Sequence, residues 1–279
     1  MKSVNVNSAE KIKIIKFINN INELTEDFVA AEEPLEISLM YGNVNSRIKK
    51  IISITMRTPG NDEELALGFL FTEGILKKIE KVSDVKKIPN EENKIQIILN
   101  ENAEPYLPNS ERNFYTTSSC GVCGKTSIES IRTVSAFNNI HDELSLKPDI
   151  FYKLNEALRN EQIVFESTGG LHASAIFDSE GNIKFLREDG GRHNALDKLI
   201  GFAFKNNKLP LNNEILMLSG RASFELIQKA VMAGIRIIAA VGAPSSLAVQ
   251  MAKESGITLI GFLKNESFNI YSGEIRIKT

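Results

Sequence analysis

The two cysteines of this 279-residue chain, Cys120 and Cys123, form a C-x-x-C motif inside the small, polar run of residues 116–125. A thiol acts as a nucleophile in its thiolate form, so its surroundings must lower its pKa. Residues 125–131 predict the start of a helix, whose partial positive charge favours a nearby thiolate. The glycines that follow each cysteine let a partner approach closely. The motif therefore predicts thiol chemistry, either disulfide exchange or sulfur carriage.

Two other interpretations of the cysteine pair stay open. In the first, both are small residues of a loop without a function, although a Gly/Ser-rich setting is unusual for core-filling cysteines. In the second, they are half of a zinc site. A structural zinc usually takes four ligands, and the chain has no second C-x-x-C, so only His141, His172 and His193 are left to complete such a site. We expect no zinc.

The composition is that of an ordinary globular protein, with 42% hydrophobic residues. The formal net charge of -2 gives no global polycationic surface for nucleic acid or an anionic membrane. Apolar runs fall short of the roughly 20 residues that span a bilayer, and the N-terminus lacks the apolar core of a signal peptide. These features predict a cytoplasmic protein, in which a lone cysteine pair is more often catalytic or metal-binding than a structural disulfide.

Residues 1–112 predict a small α+β domain. A helix follows the turn at 58–62, with Asp62 as its predicted N-cap and Gly74 beyond its end near residue 72. Alternating apolar and polar residues predict strands at residues 10–17, 33–39, 51–57 and 94–99.

Residues 113–279 predict a larger domain with a different pattern of apolar residues. Continuous apolar runs that alternate with helices indicate parallel strands covered on both faces, so this part is α/β and the chain is α+β overall. Predicted helices cover residues 149–160, 194–204, 223–233 and 246–255. Predicted strands cover residues 171–177, 183–187, 215–218, 235–241 and 257–263, the first two of them joined as a hairpin.

Four loops of this domain are expected to meet at one edge, because ligands bind beyond the carboxyl ends of strands in open parallel sheets. They are residues 188–194, 219–223, 242–246 and 262–267. Glycine loops at helix N-termini bind anions through backbone N–H groups. Ordinary strand-to-helix turns with capping serines are the competing interpretation, and the chain has neither a Walker-type motif nor G-x-G-x-x-G. We predict phosphate contacts from Arg192, Arg221 and Lys264, and a base contact from Phe262 or a polar neighbour.

The densest polar run of the chain is residues 188–198. It is either a solvated helix start or a binding or proton-transfer site, and we favour the site because His193 can titrate near neutral pH. His172, at the start of a strand, is as readily a structural residue as a functional one. The predicted cofactor-binding residues are Arg192, His193, Asn194, Arg221, Phe262, Leu263, Lys264, Asn265, Glu266 and Ser267.

Six short motifs occur together over nearly the whole chain. They are Glu-Pro-Leu at 33–35, Leu-Ala-Leu-Gly-Phe-Leu-Phe-Thr-Glu-Gly at 65–74, Ser-Ser-Cys-Gly-Val-Cys-Gly at 118–124, Thr-Gly-Gly-Leu-His-Ala at 168–173, Glu-Asp-Gly-Gly-Arg-His-Asn-Ala-Leu-Asp-Lys at 188–198 and Leu-Ser-Gly-Arg at 218–221. Each motif alone is weak, but the set is specific. In these motifs the chain resembles the formate dehydrogenase accessory sulfurtransferase family, with Gly190 as a departure where a bulkier residue such as valine is expected.

The resemblance implies a homodimeric sulfur carrier. Such a protein takes sulfur from a cysteine desulfurase as a persulfide on the C-x-x-C, with Cys120 and Cys123 as its catalytic residues. It passes the sulfur to the bis-molybdopterin guanine dinucleotide form of the molybdenum cofactor before insertion into formate dehydrogenase, and it binds the guanine dinucleotide arms. The resemblance also implies a cytidine-deaminase-like larger domain. A deaminase has H-x-E with P-C-x-x-C downstream, whereas here His172-Ala173-Ser174 lacks the glutamate and the C-x-x-C lies upstream.

Two alternative functions compete with sulfur transfer. A non-catalytic chaperone that only binds and delivers the molybdenum cofactor would not need either cysteine. A thioredoxin-like oxidoreductase usually carries its C-x-x-C after a strand near the start of a βαβ unit, which this chain does not match.

Overall fold

The structure, a computed structural model, describes residues 8–107, 137 and 144–278. It begins with a β-hairpin made of β1 (Ala9–Ile18) and β2 (Ile21–Ala30). The connecting Asn19 and Asn20 both have positive φ, at 50° and 64°, which suits the tight two-residue turn of a hairpin. Only the first of these strands was predicted, because charged residues interrupt the alternation of the second.

A four-stranded sheet follows the hairpin, in the order β4-β3-β6-β5. Its strands are β3 (Glu33–Tyr41), β4 (Ile48–Arg57), β5 (Val82–Ile88) and β6 (Glu91–Leu99). Helix α1 (Asp62–Thr72) follows β4, and Gly74, at φ 74°, lies just beyond its end. The strands predicted at 33–39, 51–57 and 94–99 are confirmed, and β5 is an additional strand.

The prediction that Asp62 caps α1 is wrong. Asn61, at φ 57°, is the N-cap residue, and Asp62 is the first residue of the helix. The carboxylate of Asp62 instead accepts a hydrogen bond from Nε of Arg57 at 2.9 Å, with both side chains buried. The buried guanidinium of Arg57 requires a carboxylate partner, and this ion pair joins the end of β4 to the start of α1.

The second part of the chain forms a six-stranded sheet in the order β12-β11-β10-β9-β7-β8. Strands β9, β10 and β11 are parallel, and β7 runs antiparallel to both β8 and β9. The strands are β7 (His172–Phe177), β8 (Ile183–Asp189), β9 (Ile215–Leu218), β10 (Ile237–Ala240), β11 (Thr258–Gly261) and β12 (Asn269–Ser272). The helices are α2 (Pro148–Glu161), α3 (Ile163–Thr168), α4 (Arg192–Lys205), α5 (Phe224–Met232) and α6 (Ser246–Glu254).

These elements confirm a mixed α+β fold and the predicted hairpin and helix–strand alternation, whereas α3 and β12 were not predicted. The six-stranded sheet is buried on both faces. On one face, Phe151, Leu154 and Leu158 of α2 pack in a cluster with inward residues of the central strands. Helices α4, α5 and α6 cover the other face. Among the described helices, none is long and apolar enough to cross a bilayer.

One hydrophobic cluster continues from the four-stranded sheet to the helices of the six-stranded sheet. It contains Leu35 of β3, Leu65 of α1, Leu196 of α4 and Leu226 of α5. The two parts of the chain therefore share a core, with α1 and α4 in contact at its centre. The predicted domain boundary at 112/113 lies outside the described residues and stays a prediction.

The contact between α1 and α4 depends on two glycines that face each other's backbone. A Cβ on Gly68 would lie 1.9 Å from the carbonyl oxygen of Asp197, and a Cβ on Gly201 would lie 1.8 Å from that of Glu64. Distances this short leave no space for a methyl group. The two helices therefore pack backbone to backbone, which only glycine at both positions permits.

Replacing Gly201 by alanine should force α1 and α4 apart. Overpacking of a core typically costs about 1–3 kcal/mol, and here the new methyl group meets rigid backbone, so we expect a loss of at least about 2 kcal/mol in the free energy of unfolding. Urea denaturation measures this loss. The matched control is Gly190→Ala, whose Cβ would meet only Oγ1 of Thr58 at 3.5 Å, and which should change stability by less than about 0.5 kcal/mol. Equal stability of the two variants would contradict the packing argument.

Candidate functional site

The carboxyl ends of four strands lie at one edge of the six-stranded sheet. Strands β9, β10 and β11 are parallel, and β8 runs in the same direction because both β8 and β9 are antiparallel to β7. The amino end of β7, at His172, is at the same edge. The structure thus brings together the four loops at 188–194, 219–223, 242–246 and 262–267.

Three of these loops are joined by backbone hydrogen bonds, and we call residues 219–223, 242–246 and 262–267 together the rim. The N–H of Gly242 donates to the carbonyl of Gly220 at 3.0 Å, and the N–H of Phe262 donates to the carbonyl of Gly242 at 3.2 Å. A Cβ on Gly242 would lie 3.0 Å from Cα of Arg221, so a side chain there would push the loops apart. The rim is therefore a continuous, closely packed surface.

Phe262 has an unusual conformation in the rim. Its φ is 52°, and the other six non-glycine residues with positive φ in the described chain are all asparagines. Its ring is 44% exposed. A strained backbone around an exposed aromatic ring has no evident packing purpose, and such strain is often found at ligand sites.

The predicted residues that follow Phe262 divide into two groups. Leu263 is buried in the core beneath the sheet edge, with 1% exposure. Lys264 and Ser267 close a short turn through an N–H to carbonyl hydrogen bond of 2.9 Å. The exposed members are Lys264, Asn265, Glu266 and Ser267. Of the residues that follow Phe262, these four have side chains that can meet a ligand on the rim, as does the exposed Arg221.

Arg192 and His193 are the first two residues of α4, next to the rim. Nε2 of His193 lies 3.4 Å from Oγ of Ser223 and 3.9 Å from a carboxylate oxygen of Glu225. Two atoms, Nε of Arg192 and Nδ1 of His193, are buried without a hydrogen-bond partner among the residues that the structure describes. Buried polar atoms are normally paired, so these two atoms are candidate contacts for a ligand.

Burial, with smaller contributions from Lys229 and Arg192, lowers the pKa of His193 to about 4 against the opposing effect of Glu225 and Glu73. The imidazole is therefore neutral at pH 7, with one nitrogen as donor and the other as acceptor. Burial and Arg192 also lower the pKa of His172. Arg192 thus supplies the positive charge near both imidazoles.

Asn194 does not face the rim. Its side-chain amide donates to the carbonyl of Met56 at 2.6 Å and to Oδ1 of Asp189 at 3.2 Å. Asp189 is fully buried, and its other oxygen is 2.7 Å from Nζ of Lys198. Lys198 in turn donates to the carbonyl of Thr58 at 2.8 Å. This inward part of the run 188–198 holds α4 against the end of β4.

A second buried ion pair joins Lys229 of α5 to Asp197, which lies one turn after His193 in α4. Nζ of Lys229 is 2.9 Å from Oδ2 of Asp197 and 2.9 Å from Oγ1 of Thr72, and Thr72 donates to Oδ1 of Asp197 at 2.8 Å. All of these contacts to Asp197 come from donors, as an ionised carboxylate requires. Burial opposes the charge on Lys229, but Asp197 and Glu73 together raise its pKa. Helices α1, α4 and α5 are therefore tied by a charged network directly behind His193.

Cys120, Cys123 and His141 lie outside the described residues. Within the part of the chain that is described, no group of three His, Cys, Asp or Glu side chains could hold a metal ion. The absence of zinc stays a prediction.

Comparison with known proteins identifies the family. The model of the FdhD/NarQ family matches residues 30–278. The chain belongs to the FdhD/NarQ family. The sulfur carrier protein FdhD of Streptomyces avermitilis is 46% identical over 277 residues, which cover 96% of this chain and 95% of that protein. The sulfur carrier protein FdhD of Sulfurisphaera tokodaii is 41% identical, covering 96% of this chain and 98% of that protein.

A solved structure supports the fold of this FdhD/NarQ member. It is the crystal structure of a candidate formate dehydrogenase accessory protein from Desulfotalea psychrophila, with a TM-score of 0.75 and 24% identity. The match covers 97% of this chain and 100% of that one. A TM-score of 0.75 at this coverage shows that both chains share one fold.

Several residues of the site in this FdhD/NarQ protein were not predicted from the sequence. The sequence places Ser223 in the loop 219–223 and at the start of the next helix, but it does not predict that the Ser223 hydroxyl lies beside His193. Glu225 and Lys229, which set the charge around His193, were assigned only to the helix that follows the rim. The signal for Lys229 was a lysine inside the apolar run Leu226–Met232 of α5, where a charge needs a buried partner.

The pKa of His193 makes stability depend on pH between about 4 and 6.5. In this window the unfolded chain binds a proton that the folded protein does not, so stability falls as the pH is lowered. The difference of about 2.5 pKa units corresponds to roughly 3 kcal/mol at the acid limit. His193→Gln should remove most of this loss, measured as the free energy of unfolding at pH 4.5 and pH 7. A His193 imidazole that titrates above pH 6.5 by NMR would contradict the prediction.

Proposed function

We propose that this protein is a sulfur carrier for the maturation of formate dehydrogenase. In this proposal it receives sulfur from a cysteine desulfurase on Cys120 and delivers it to the bis-molybdopterin guanine dinucleotide cofactor, which is its acceptor substrate. The observation that carries the proposal is the rim with the unpaired atoms of Arg192 and His193, in a chain whose curated relatives over nearly its full length are sulfur carrier proteins.

The sulfur step is a thiol–persulfide exchange. The thiolate of Cys120 attacks the terminal sulfur of the desulfurase persulfide, an S–S bond breaks, and the desulfurase cysteine leaves as a thiolate. This first exchange needs no external oxidant or reductant. In the second step, Cys123 attacks the inner sulfur of the Cys120 persulfide, which releases the terminal sulfur as hydrosulfide and leaves a disulfide. A cellular dithiol then reduces this disulfide and restores both thiols.

The rim suits the nucleotide part of the acceptor. Arg221 and Lys264 are exposed cations on it, and Ser223 and Ser245 of the rim are the N-cap residues of α5 and α6, whose N-termini carry a partial positive charge. The buried Nε–H of Arg192 can donate a hydrogen bond to a phosphate oxygen. Nδ1 of neutral His193 can do the same in the tautomer that carries its proton on that nitrogen. The carboxylates of Glu225 and Glu266 offset part of the positive charge around the rim. The site therefore favours a phosphorylated ligand that also carries hydrogen-bonding groups over a simple polyanion.

The setting of this function is also part of the proposal. A donor desulfurase and a cofactor in assembly are cytoplasmic, and we propose the same compartment for this chain. We further propose a homodimer, for which sedimentation of the purified protein is the measurement.

Cys120 should carry the persulfide after incubation with a cysteine desulfurase and cysteine. Mass spectrometry of its peptide should show an adduct one sulfur atom heavier, which Cys120→Ala abolishes and Cys123→Ala preserves. An adduct with the opposite dependence would reverse the roles of the two cysteines. Full activation of formate dehydrogenase by a variant lacking both cysteines would favour the non-catalytic chaperone instead.

Guanosine diphosphate, which stands for one arm of the acceptor, should bind to the rim and raise the melting temperature. A ligand that binds only the folded state stabilises it by about 2.7 kcal/mol at a hundredfold excess over Kd. Adenosine diphosphate should raise the temperature less, and Arg221→Gln should remove most of the shift while leaving persulfide formation intact. The control is Lys253→Gln, an exposed cation in the last turn of α6, away from the rim. No shift at millimolar guanosine diphosphate would exclude the rim as the nucleotide site.

A further inference from the structure

The β-hairpin of β1 and β2, residues 9–30, has not yet been given a role, and we call it the arm. Among the described strands, β1 and β2 pair only with each other. The arm is held at its base, where Oγ of Ser8 donates to the carbonyl of Pro59 at 3.0 Å and β2 contacts α3. A two-stranded hairpin on its own is at best marginally stable in water. The arm therefore needs more cover than its base receives from α3.

One face of the arm is rich in exposed apolar side chains, and we call it the open face. Residues directly opposite each other on paired strands share a face, as do residues two apart on one strand. Ile15 lies opposite Leu24, which places their neighbours two and four residues away on the same face. The apolar residues of the open face are Ile15, Phe17, Leu24 and Phe28, which are 64%, 70%, 73% and 46% exposed.

The open face is large enough to form a stable interface. At about 200 Å² for a fully exposed large side chain, its four apolar residues leave about 500 Å² in water on one copy of the chain. Two such faces in contact remove about 1,000 Å² of apolar surface, and a stable protein–protein interface buries roughly 1,200–2,000 Å² in total. The stems of the neighbouring lysines and glutamates add to this area. Monomeric proteins rarely expose so large an apolar patch, which indicates an interaction surface.

The charges of the arm divide between its two strands. The lysines lie on β1, at Lys11, Lys13 and Lys16, whereas three acids lie on β2, at Glu23, Glu26 and Asp27. The acidic strand repels an anionic lipid surface or a nucleic acid, and the basic strand repels a uniformly cationic surface. The arm therefore fits a partner that places acids over β1 and lysines over β2. A second arm has this pattern of charges.

A two-fold axis that runs parallel to the strands, between two stacked arms, produces this arrangement. Rotation about it places β1 of each copy over β2 of the other, so each residue meets the partner's copy of the residue that lies opposite it in its own arm. On the open face, Lys13 lies opposite Glu26 and Ile15 lies opposite Leu24. In the paired arms, Lys13 therefore faces the partner's Glu26, and Ile15 faces the partner's Leu24.

We propose that two copies of this chain associate by packing their arms open face to open face, with β1 of each copy over β2 of the other. This rests on the homodimer of the proposed function and names the surface that forms it. Ile14 and Thr25, opposite each other on the other face, are half-buried, so the remainder of each chain lies on the outer side of the paired arms. The arm ends at residue 30, where the match to the family model begins, so this interface is separate from the rim.

Sedimentation equilibrium of the full-length protein tests this pairing. Leu24→Lys should raise the dissociation constant of the dimer at least about thirtyfold, because each copy loses a leucine from the centre of the contact and gains a charge there. The matched control is Ile275→Lys, which places the same charge at an apolar residue that is 82% exposed and lies outside the arm. It should leave the dissociation constant unchanged. Circular dichroism spectra that match those of the unmodified protein show that each variant is folded.

Charge reversal separates a contact between two copies from a contact within one arm. Lys13→Glu and Glu26→Lys each place like charges opposite each other, so each variant alone should dimerise more weakly. In a mixture of the two variants, the one with two acids at this level meets the one with two lysines. At low ionic strength, where surface charges interact most strongly, the mixture should associate at least about fivefold more tightly than either variant alone. A mixture as weak as its components would overturn the pairing of β1 with β2.

The outcomes distinguish the arm from the homodimer. If the unmodified protein is a dimer and Leu24→Lys has the same dissociation constant, the arm is not the interface, whereas the homodimer stands on another surface. If the unmodified protein is monomeric at every concentration, the pairing of the arms and the homodimer both fail. Persulfide formation at Cys120 is measured separately by mass spectrometry, so neither result decides sulfur carriage.

Discussion

The backbone contact between α1 and α4 at Gly68 and Gly201 is the constraint on which the other features depend. At this crossing, each glycine faces a carbonyl oxygen of the other helix, so the distance between the helices is set by backbone alone. Helix α1 belongs to the part of the chain with the four-stranded sheet, and α4 lies on the six-stranded sheet. A displacement at this crossing would separate the two parts of the shared core and move the start of α4, where Arg192 and His193 lie.

Two buried ion pairs fix the orientation of α4 once the helices are in contact. Lys198 and Asp189 hold the first turns against the end of β4, and Lys229 and Asp197 join α4 to α1 and α5. A buried ion pair is weak evidence for net stability, because desolvation offsets much of the attraction, but removing one partner leaves a costly unpaired charge. We therefore infer that the main role of these two ion pairs is to fix the position of α4 rather than to add net stability. They hold one end of α4 so that Arg192 and His193 keep their place beside the rim.

The same network makes a neutral histidine out of His193. Burial and the positive charges of Lys229 and Arg192 lower the pKa of His193, and the nearby carboxylates of Glu225 and Glu73 offset only part of this effect. The imidazole is therefore unprotonated near pH 7. The site thus has its positive charge on arginine and lysine, which are fixed in their charged state, and a neutral ring that can donate and accept. This division suits the phosphorylated acceptor of the proposed function.

The sequence by itself determined most helices and strands, the convergence of four loops at one edge and the motifs of the family, because these depend on local periodicity and on residue type. It did not show β2 or β5, whose alternation is diluted by charged residues, and it placed the cap of α1 on Asp62, which is drawn instead to the buried charge of Arg57. It also grouped Asn194 with Arg192 and His193. Only the tertiary structure decided that Asn194 turns inward to β4 while its two neighbours face the rim, since this depends on which helix faces are covered by distant elements. The pairing of Lys229 with Asp197 has the same origin: it is made by residues far apart in the chain, whose proximity no local pattern encodes.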